Sequence, residues 1–268
     1  MRCVVHRTKE EAMSTKQRVL VIGGTRGLGR AYAADRLSHG DDVIVVGRTA
    51  DSARVDSTLD GAECVAADIG DPFTHNAILD AAFTGPKRLP TQVMWCAGTY
   101  HRGPLAQMSL GVMDRLTSTH FLGPAAFLGA FHKRMLAHEA KQPYDLVVIG
   151  SVFAHVPGKL HAMLAGLKAA KVQFSRVFSQ ELSRDLPGSM TLIVNPWAMK
   201  TDFFAGTDVK TDKFMEPAYV VGVINDNVAS CSREASLAGK GVWPVEITLD
   251  RGEGGATKVL LGPQPPKL

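Results

Sequence analysis

The stretch VIGGTRGLGRAYAADRL, residues 21–37, decides the fold that this sequence predicts. It joins an apolar run rich in β-branched residues to a segment of helical character. Glycines at such a junction permit a tight turn and let backbone N–H groups approach a pyrophosphate, which the positive end of the helix also favours. Gly23, Gly27 and Gly29 follow the spacing GxxxGxG, which differs from the GxGxxG fingerprint. Together with the strand and helix around it, the loop predicts dinucleotide binding.

The rest of the chain repeats the alternation of apolar runs and helix-like stretches. The apolar runs cover residues 18–24, 42–48, 63–69, 92–98, 144–151 and 190–196, and the helix-like stretches cover 27–39, 73–84, 107–139 and 160–185. Because the runs are continuously apolar, both faces of each strand should be buried, as in parallel sheets. The pattern predicts an α/β fold, a single Rossmann-type doubly wound parallel sheet flanked by helices, which binds ligands beyond the carboxyl ends of its strands.

The pattern also suggests boundaries. Residues 1–16 are interpreted as a mobile leader, with Met13 as an alternative start, and residues 17–268 as one domain. Residues 199–230 mix Gly, Lys, Asp and Phe without a clear period, which predicts a loop with a short helix that forms a lid over the substrate. Residues 241–249 predict a last strand, and residues 262–268 a frayed tail.

Composition excludes several classes of protein. The net charge of +4 comes from 30 basic and 26 acidic residues without a basic run interleaved with aromatics, so no nucleic-acid partner is expected. The first residues lack the apolar stretch of a signal peptide, and no apolar run reaches the roughly 18 residues of a membrane span, so a cytoplasmic protein is expected. Cys3, Cys64, Cys96 and Cys231 lie far apart without a CxxC or Cys/His cluster, which predicts neither a disulfide framework nor a metal site.

The glycine loop carries a resemblance to a known family. Residues 22–29, IGGTRGLG, resemble the TGxxxGxG motif of the short-chain dehydrogenase/reductase family, with Ile22 in place of the threonine. Further motifs of that family follow in the same order, so the resemblance covers roughly residues 17–255. It implies a nicotinamide coenzyme and a small-molecule substrate.

The end of the second predicted strand bears on the choice of coenzyme. An acid at this point would accept hydrogen bonds from a free ribose 2′-hydroxyl, whereas a 2′-phosphate needs cations. The strand ends at Arg48 and Thr49 without an acid, and Arg26 lies in the glycine loop. Family members that prefer NADP have arginines at these two places, and guanidinium groups bind phosphate in a fork. The resemblance therefore implies NADP(H); the alternative interpretation is two solvated surface arginines.

Other short motifs complete the implied cofactor site. Asp68 matches the acid that hydrogen-bonds the adenine amino group, WCAG at residues 95–98 stands for the family's NNAG, and NPWAMKTDF at 195–203 resembles its PGxxxT segment. The resemblance assigns to the cofactor Gly23, Thr25, Arg26, Gly27, Leu28, Gly29, Arg48, Thr49, Asp68, Ile69, Ala97, Gly98, Lys168, Pro196 and Thr201.

The catalytic motif departs from the family pattern. In the family a serine holds the substrate carbonyl, a tyrosine donates the proton, a lysine one turn later holds the ribose, and an asparagine supports a water relay. Ser151 and Lys168 stand at the serine and lysine positions, but the tyrosine position is Leu164, and His120 replaces the asparagine. Pro124 follows His120 by four residues and would free the His120 carbonyl inside the predicted helix. The implied catalytic set is Ser151, Lys168 and His120.

The missing hydroxyl defines the central question, because a positioned general acid typically contributes about 10²–10⁴-fold to the rate. His120, His155 and His161 are candidate replacements, with His120 the best placed, and Tyr100 is the one tyrosine expected near the pocket. The alternative for each histidine is a solvated or hydrogen-bonded side chain without a catalytic role.

The sequence as a whole favours an NADP(H)-dependent oxidoreductase that acts on a small carbonyl or imine substrate with a non-standard proton donor. Two alternatives stay open: a non-redox enzyme on the same scaffold, such as an isomerase, dehydratase or cyclase, and a non-catalytic NADP-binding protein. In the family, helices that correspond to residues 107–139 and 160–185 form subunit contacts, which implies a homodimer or homotetramer.

Overall fold

A computed structural model describes residues 16–53, 57–84, 89–230, 242–251 and 257–261. The predicted leader, but for Lys16, and the predicted tail lie outside the described residues, as do Cys3 and Cys231. The predicted single domain of residues 17–268 therefore stays a prediction over its full length.

Among the described residues, eight strands form one sheet in the order β3-β2-β1-β4-β5-β6-β7-β8. The strands are β1 (Arg18–Ile22), β2 (Asp42–Gly47), β3 (Glu63–Ala66), β4 (Gln92–Trp95), β5 (Asp145–Ile149), β6 (Thr191–Pro196), β7 (Val245–Arg251) and β8 (Thr257–Leu261). The first seven pair in parallel, and β8 pairs antiparallel with β7. The predicted doubly wound parallel sheet is confirmed, and β8 is an addition that the sequence reasoning missed.

Helices cover both faces of the sheet. They are α1 (Gly27–Ser38), α2 (Ala50–Ala53), α3 (His75–Phe83), α4 (Leu110–Thr117), α5 (Gly123–Ala137), α6 (Ala162–Asp185) and α7 (Pro217–Ser230). Within the described residues, none of these helices is both long enough and apolar enough to cross a membrane.

The strands are apolar throughout because their side chains alternate between two cores. In β1, Leu20 and Ile22 join a core with Phe127 and Phe131 of α5, whereas Val21 joins a core on the opposite face with Tyr32 of α1. Every residue of β1 is buried. The order of the strands reverses between β1 and β4, whose neighbours run outward in opposite directions, and a doubly wound sheet opens its ligand crevice at that point.

The helix predicted over residues 107–139 contains a π-helical turn. This turn, Ser118–Leu122, joins α4 to α5, and Pro124 follows it closely. The backbone of Ser118, Leu122 and Gly123 is helical, and the Gly123 N–H donates to the Ser118 carbonyl across the wider turn. Pro124 therefore lies inside one helical stretch, as predicted, and the feature that the sequence reasoning missed is the π-helical turn.

The segment predicted as a lid, residues 199–230, has two parts. Residues 199–216 contain only a short 3₁₀ turn at Asp202–Phe204. By contrast, Pro217–Ser230 is the helix α7, where Val220 and Ile224 are fully buried in the core that α1 shares. The helix is anchored by these core contacts.

Candidate active site

A cavity of about 850 Å³ opens at the carboxyl ends of the parallel strands. One end is lined by the glycine loop, the end of β2 and Asp68, and the other end by Ser151, Leu164 and Lys168. The sequence motifs at the two ends are far apart in the chain, and the sheet brings them to one edge. All of the residues assigned to the cofactor except Gly29 line this cavity.

The glycine loop is packed too tightly for side chains. Gly23 has a φ of +88°, and a Cβ atom there would lie 2.7 Å from the Cα atom of Ala97. A Cβ at Gly29 would collide with the carbonyl oxygen of Gly23. The N–H of Gly23 donates to the Val46 carbonyl at 2.9 Å, which ties the loop to β2. The result is a cradle of bare backbone at the start of α1, which is the geometry that an anionic ligand needs.

Arg26 and Arg48 lie beside the same end of the cavity. A Cβ at Gly47 would lie 2.7 Å from the side chain of Thr25, so the glycine loop touches the end of β2. Arg26 follows Thr25 and Arg48 follows Gly47, and both arginines are exposed and line the cavity. Both guanidinium groups are therefore available to an anion at this corner.

Asp68 and Thr201 also line the cavity. Asp68 Oδ1 accepts a hydrogen bond from the Gly70 N–H at 2.9 Å, which fixes the carboxylate at the end of β3. A Cβ at Gly27 would lie 3.2 Å from the Thr201 Cβ. The segment after β6 thus packs against the start of α1.

Ser151 and Lys168 meet at the other end of the cavity. The Ser151 N–H donates to Asn195 Oδ1 at 3.2 Å, and the Ser151 Oγ accepts from the Phe153 N–H at 3.2 Å. Lys168 Nζ donates to the Gly150 carbonyl at 3.0 Å. Burial lowers the pKa of Lys168 to about 8. The Lys168 ammonium group therefore contacts Gly150, the residue that precedes Ser151.

Leu164 lies on the same helix as Lys168, lines the cavity and is buried. Of the tyrosines, Tyr100 lines the cavity, whereas Tyr32 and Tyr144 are buried in the two cores. Tyr144 precedes β5, and its hydroxyl pairs with His132. Tyr219 is exposed and lies outside the cavity lining, so of the four tyrosines Tyr100 is the one that lines the cavity.

The structure does not bring His120 to the cavity wall. Its side chain is completely buried, and Nε2 lies 2.7 Å from the Thr99 carbonyl oxygen. Burial, together with the charges of Lys168 and Lys171, lowers the pKa of His120 well below its usual value. The predicted role of His120 as proton donor is therefore not supported, because the π-helical turn directs the imidazole under the loop after β4.

One buried lysine beside this site belongs to no motif that the sequence analysis identified. Lys171, three residues after Lys168, is fully buried, and its Nζ lies 4.3 Å from the Trp95 ring centroid. Burial, followed by the charge of Lys168, lowers its pKa well below the usual range. A lysine within the apolar face of the predicted helix 160–185 was the available signal, since it interrupts the expected core pattern.

A network of polar and charged side chains that includes Asn195, Glu246 and Arg176 holds the Ser151 backbone in position. Glu246 of β7 is 6% exposed, accepts hydrogen bonds from Arg176 and from the Asn195 side chain at 2.9 Å each, and lies 2.9 Å from His155 Nε2. Asn195 in turn holds the Ser151 N–H. The position of Ser151, at the end of β5, therefore depends through Asn195 of β6 on a carboxylate of β7.

We expect Glu246→Ala to lower the free energy of unfolding by about 1.5–3 kcal/mol, because the partly buried Arg176 guanidinium and the buried Asn195 amide lose the carboxylate that accepts their hydrogen bonds. Asp80→Ala is the control: it breaks the exposed Arg134–Asp80 pair, and such pairs contribute at most about 1 kcal/mol. Urea unfolding followed by circular dichroism measures both values. Equal losses in the two variants would contradict the prediction.

Aromatic rings form most of the substrate end of the cavity. Phe153, Trp197, Phe203, Phe204 and Phe214 line it together with Tyr100. The Trp197 and Phe214 ring centroids are 5.1 Å apart, and those of Phe204 and Phe214 are 5.2 Å apart. The phenylalanines lie on loops without periodicity, so the sequence offered no signal that they share a wall.

No group of three or more His, Cys, Asp or Glu side chains among the described residues is arranged to hold a metal ion. Cys64 and Cys96 are not joined in a disulfide, and burial raises the pKa of Cys96.

Comparison with known proteins identifies the family. Residues 17–210 match the family profile described as short chain dehydrogenase. The chain belongs to the short-chain dehydrogenase family. The match begins one residue before β1 and extends past Thr201, so it contains both ends of the cavity.

Individual relatives of this family member are distant. A chloroplastic tropinone reductase homolog of Arabidopsis thaliana is 25% identical over 228 residues. The match covers 80% of this chain and 66% of that protein, so this chain spans just under two thirds of the relative's length. A 3-ketoacyl-(acyl-carrier-protein) reductase from Brucella melitensis, solved with NADH, superposes with a TM-score of 0.73 at 19% identity over 87% of this chain and 96% of that one. A Sphingobium yanoikuyae short-chain dehydrogenase in complex with NADPH gives 0.67 at 23% identity, over 80% and 85%. The two solved structures support the fold.

Proposed function

We propose that this short-chain dehydrogenase is an NADP(H)-dependent oxidoreductase that acts on a small carbonyl or imine substrate with a non-standard proton donor. The single observation that carries the proposal is one cavity with an anion cradle at one end and Ser151 with Lys168 at the other. In the Sphingobium enzyme of the same fold NADPH is bound, and in the Brucella enzyme NADH.

The residues at the cradle end fit a dinucleotide. The bare backbone at Gly23 and Gly29 leaves space for a pyrophosphate where any Cβ would clash. Arg26 and Arg48 would bind the 2′-phosphate, Asp68 the adenine, and Thr201 the pyrophosphate or the carboxamide. When bound, the coenzyme supplies or accepts a hydride, which no side chain of the protein can do.

The residues at the other end would orient the substrate. The Ser151 hydroxyl would hold a carbonyl oxygen or imine nitrogen, and Lys168 would hold the nicotinamide ribose. The ring-lined wall favours substrates with flat apolar surfaces, because ring faces and edges pack well against one another. We propose that Leu164 occupies the position of the family tyrosine. Because leucine cannot donate a proton, the proton must come from another group.

The experiment is a titration of the purified protein with NADPH and with NADH, followed by absorbance assays with small ketones and cyclic imines. We expect NADPH to bind more tightly than NADH and to be oxidised in the presence of a substrate. If neither coenzyme binds, the proposal fails. Turnover without a change in nicotinamide absorbance would instead indicate a non-redox enzyme, and binding without any turnover a non-catalytic NADP-binding protein.

The oligomeric state of the protein is also a proposal. A homodimer or homotetramer is proposed because helices of the family that correspond to α4–α5 and α6 form subunit contacts, and the exposed apolar residues Leu110 and Val177 lie on these helices. Light scattering during size-exclusion chromatography measures the mass of the particle. A cytoplasmic location remains a prediction from the sequence.

A further inference from the structure

We propose that Tyr100, hydrogen-bonded to His161, replaces the family tyrosine as the proton donor and acceptor of this site. The inference rests on the proposed function, since it names the group that completes the proposed reaction. The sequence suggested the two residues separately, 61 positions apart, and the fold joins them.

The geometry of the pair is specific. Tyr100 Oη lies 3.1 Å from His161 Nε2, and both side chains line the cavity that also contains Leu164. His161 Nδ1 lies 2.7 Å from the Lys159 carbonyl oxygen. A carbonyl only accepts, so Nδ1 carries a proton and Nε2 of the neutral ring faces the phenol as an acceptor.

The surrounding structure holds the pair in place. The Tyr100 ring contacts Phe203 and Phe204, with centroids 5.7 and 4.8 Å away, and the His161 ring lies 4.8 Å from Phe153. The Gly103 N–H donates to the Leu160 carbonyl at 2.9 Å, so the two loops are also joined through their backbones.

Leu160 has a left-handed backbone conformation. Its φ is +62°, and a left-handed conformation costs an ordinary residue about 1–2 kcal/mol. This conformation directly precedes His161, and strained backbone of this kind concentrates at functional sites. The turn aims the imidazole at the phenol.

The proton steps balance in both directions. In reduction, the substrate carbon receives a hydride from a dihydronicotinamide, the Tyr100 O–H bond breaks, and a new O–H bond forms on the substrate oxygen. The phenolate then takes the Nε2 proton of the His161 imidazolium, and the ring regains a proton from solvent. In oxidation, the alcohol proton passes to Tyr100 while Tyr100 passes its own to neutral His161, and the hydride goes to the oxidised nicotinamide.

The charges around the pair set its pH dependence. Burial, with smaller contributions from Arg102 and His101, lowers the pKa of His161 below 6.5, although its hydrogen bond to Lys159 acts in the opposite sense. Burial raises the pKa of Tyr100, where Arg102 and Asp208 act in opposite directions. Reduction needs the imidazolium, so its rate should fall as the pH rises through the His161 pKa, and oxidation should rise across the same range.

The test compares Tyr100→Phe and His161→Gln with Tyr219→Phe, a control at an exposed tyrosine outside the cavity lining. NADPH affinity should stay within about twofold of wild type in all three. We expect Tyr100→Phe to lower kcat for reduction of acetophenone and cyclohexanone by about 10²–10⁴-fold. His161→Gln should lower kcat less, and it should abolish the fall in the reduction rate as the pH rises through the His161 pKa.

Two further readouts separate proton donation from pocket shape. Reduction of a preformed N-methyl-dihydroisoquinolinium ion needs no proton, so its rate should be nearly unchanged in Tyr100→Phe. Adding Leu164→Tyr to Tyr100→Phe should restore part of the ketone activity. Independently of turnover, NMR of the free protein with ¹⁵N-labelled histidine should show the His161 Nε2 resonance shifted in Tyr100→Phe and unshifted in Tyr219→Phe.

The outcomes distinguish the two proposals. Intact NADPH binding and an unchanged ketone kcat in Tyr100→Phe would overturn the role of the pair and leave the proposed function standing. An equal loss toward ketone and iminium substrates would also overturn it, since the ring would then serve only to shape the pocket. Absence of coenzyme binding in the wild type would overturn both.

Discussion

Gly23→Val should weaken NADPH binding by about 10²–10⁴-fold. A valine Cβ at this position would lie 2.7 Å from the Ala97 backbone, and the φ of +88° is itself unfavourable for a β-branched residue. The loop must move away from β4, and its N–H groups then leave the positions that would face the pyrophosphate. Losing two hydrogen bonds to a charged ligand, at about 1.5–3 kcal/mol each, gives the expected range. Isothermal titration calorimetry measures the affinity.

The chain offers a matched control for this change. Gly40 has a φ of +81°, but a Cβ there meets no atom within 4 Å, and the residue does not line the cavity. Gly40→Val therefore introduces similar backbone strain without displacing the glycine loop. NADPH affinity should remain at the wild-type level in this variant. Equal losses at Gly23 and Gly40 would indicate general destabilisation and contradict the assignment of the loop.

Replacing Arg26 and Arg48 together by alanine should weaken NADPH binding by about 100-fold and change NADH binding by less than about threefold. Both guanidinium groups are exposed at the cavity edge, so each is expected to contribute near the lower end of the range for charge-assisted hydrogen bonds, about 1.4 kcal/mol. The difference between the coenzymes is a single 2′-phosphate, so only NADPH loses these contacts.

The control for the arginine pair is Arg134→Ala, since Arg134 is a half-exposed arginine outside the cavity lining. It removes one positive charge from the surface without touching the proposed phosphate corner. Fluorescence titration at constant ionic strength should give wild-type affinities for both coenzymes. A parallel decline of NADPH and NADH affinity in the double variant would mean that the arginines act on the pyrophosphate or on folding, and the NADP preference would then be lost as a proposal.

Much of the fold was determined by local sequence. The continuous apolar run that became β1 places successive residues in two opposite cores, and this requirement fixes a strand covered on both sides. The glycines of the loop encode positive φ and close backbone approach directly, because no other residue tolerates both at Gly23. Ser151 follows the end of β5 and Lys168 lies on the next helix, α6, so their spacing in the sequence already predicts that both residues reach the same cavity.

Contacts between distant loops were decided only by the tertiary structure. His120 matched a catalytic position in the sequence, yet a π-helical turn buries it against Thr99. Glu246 had no motif, yet it supports Ser151 through Asn195. Tyr100 and His161 meet because the loops after β4 and before α6 converge at the carboxyl edge of the sheet. Periodicity and short motifs specify elements a few residues at a time, whereas the proximity of side chains on separate loops depends on how all of the elements pack together.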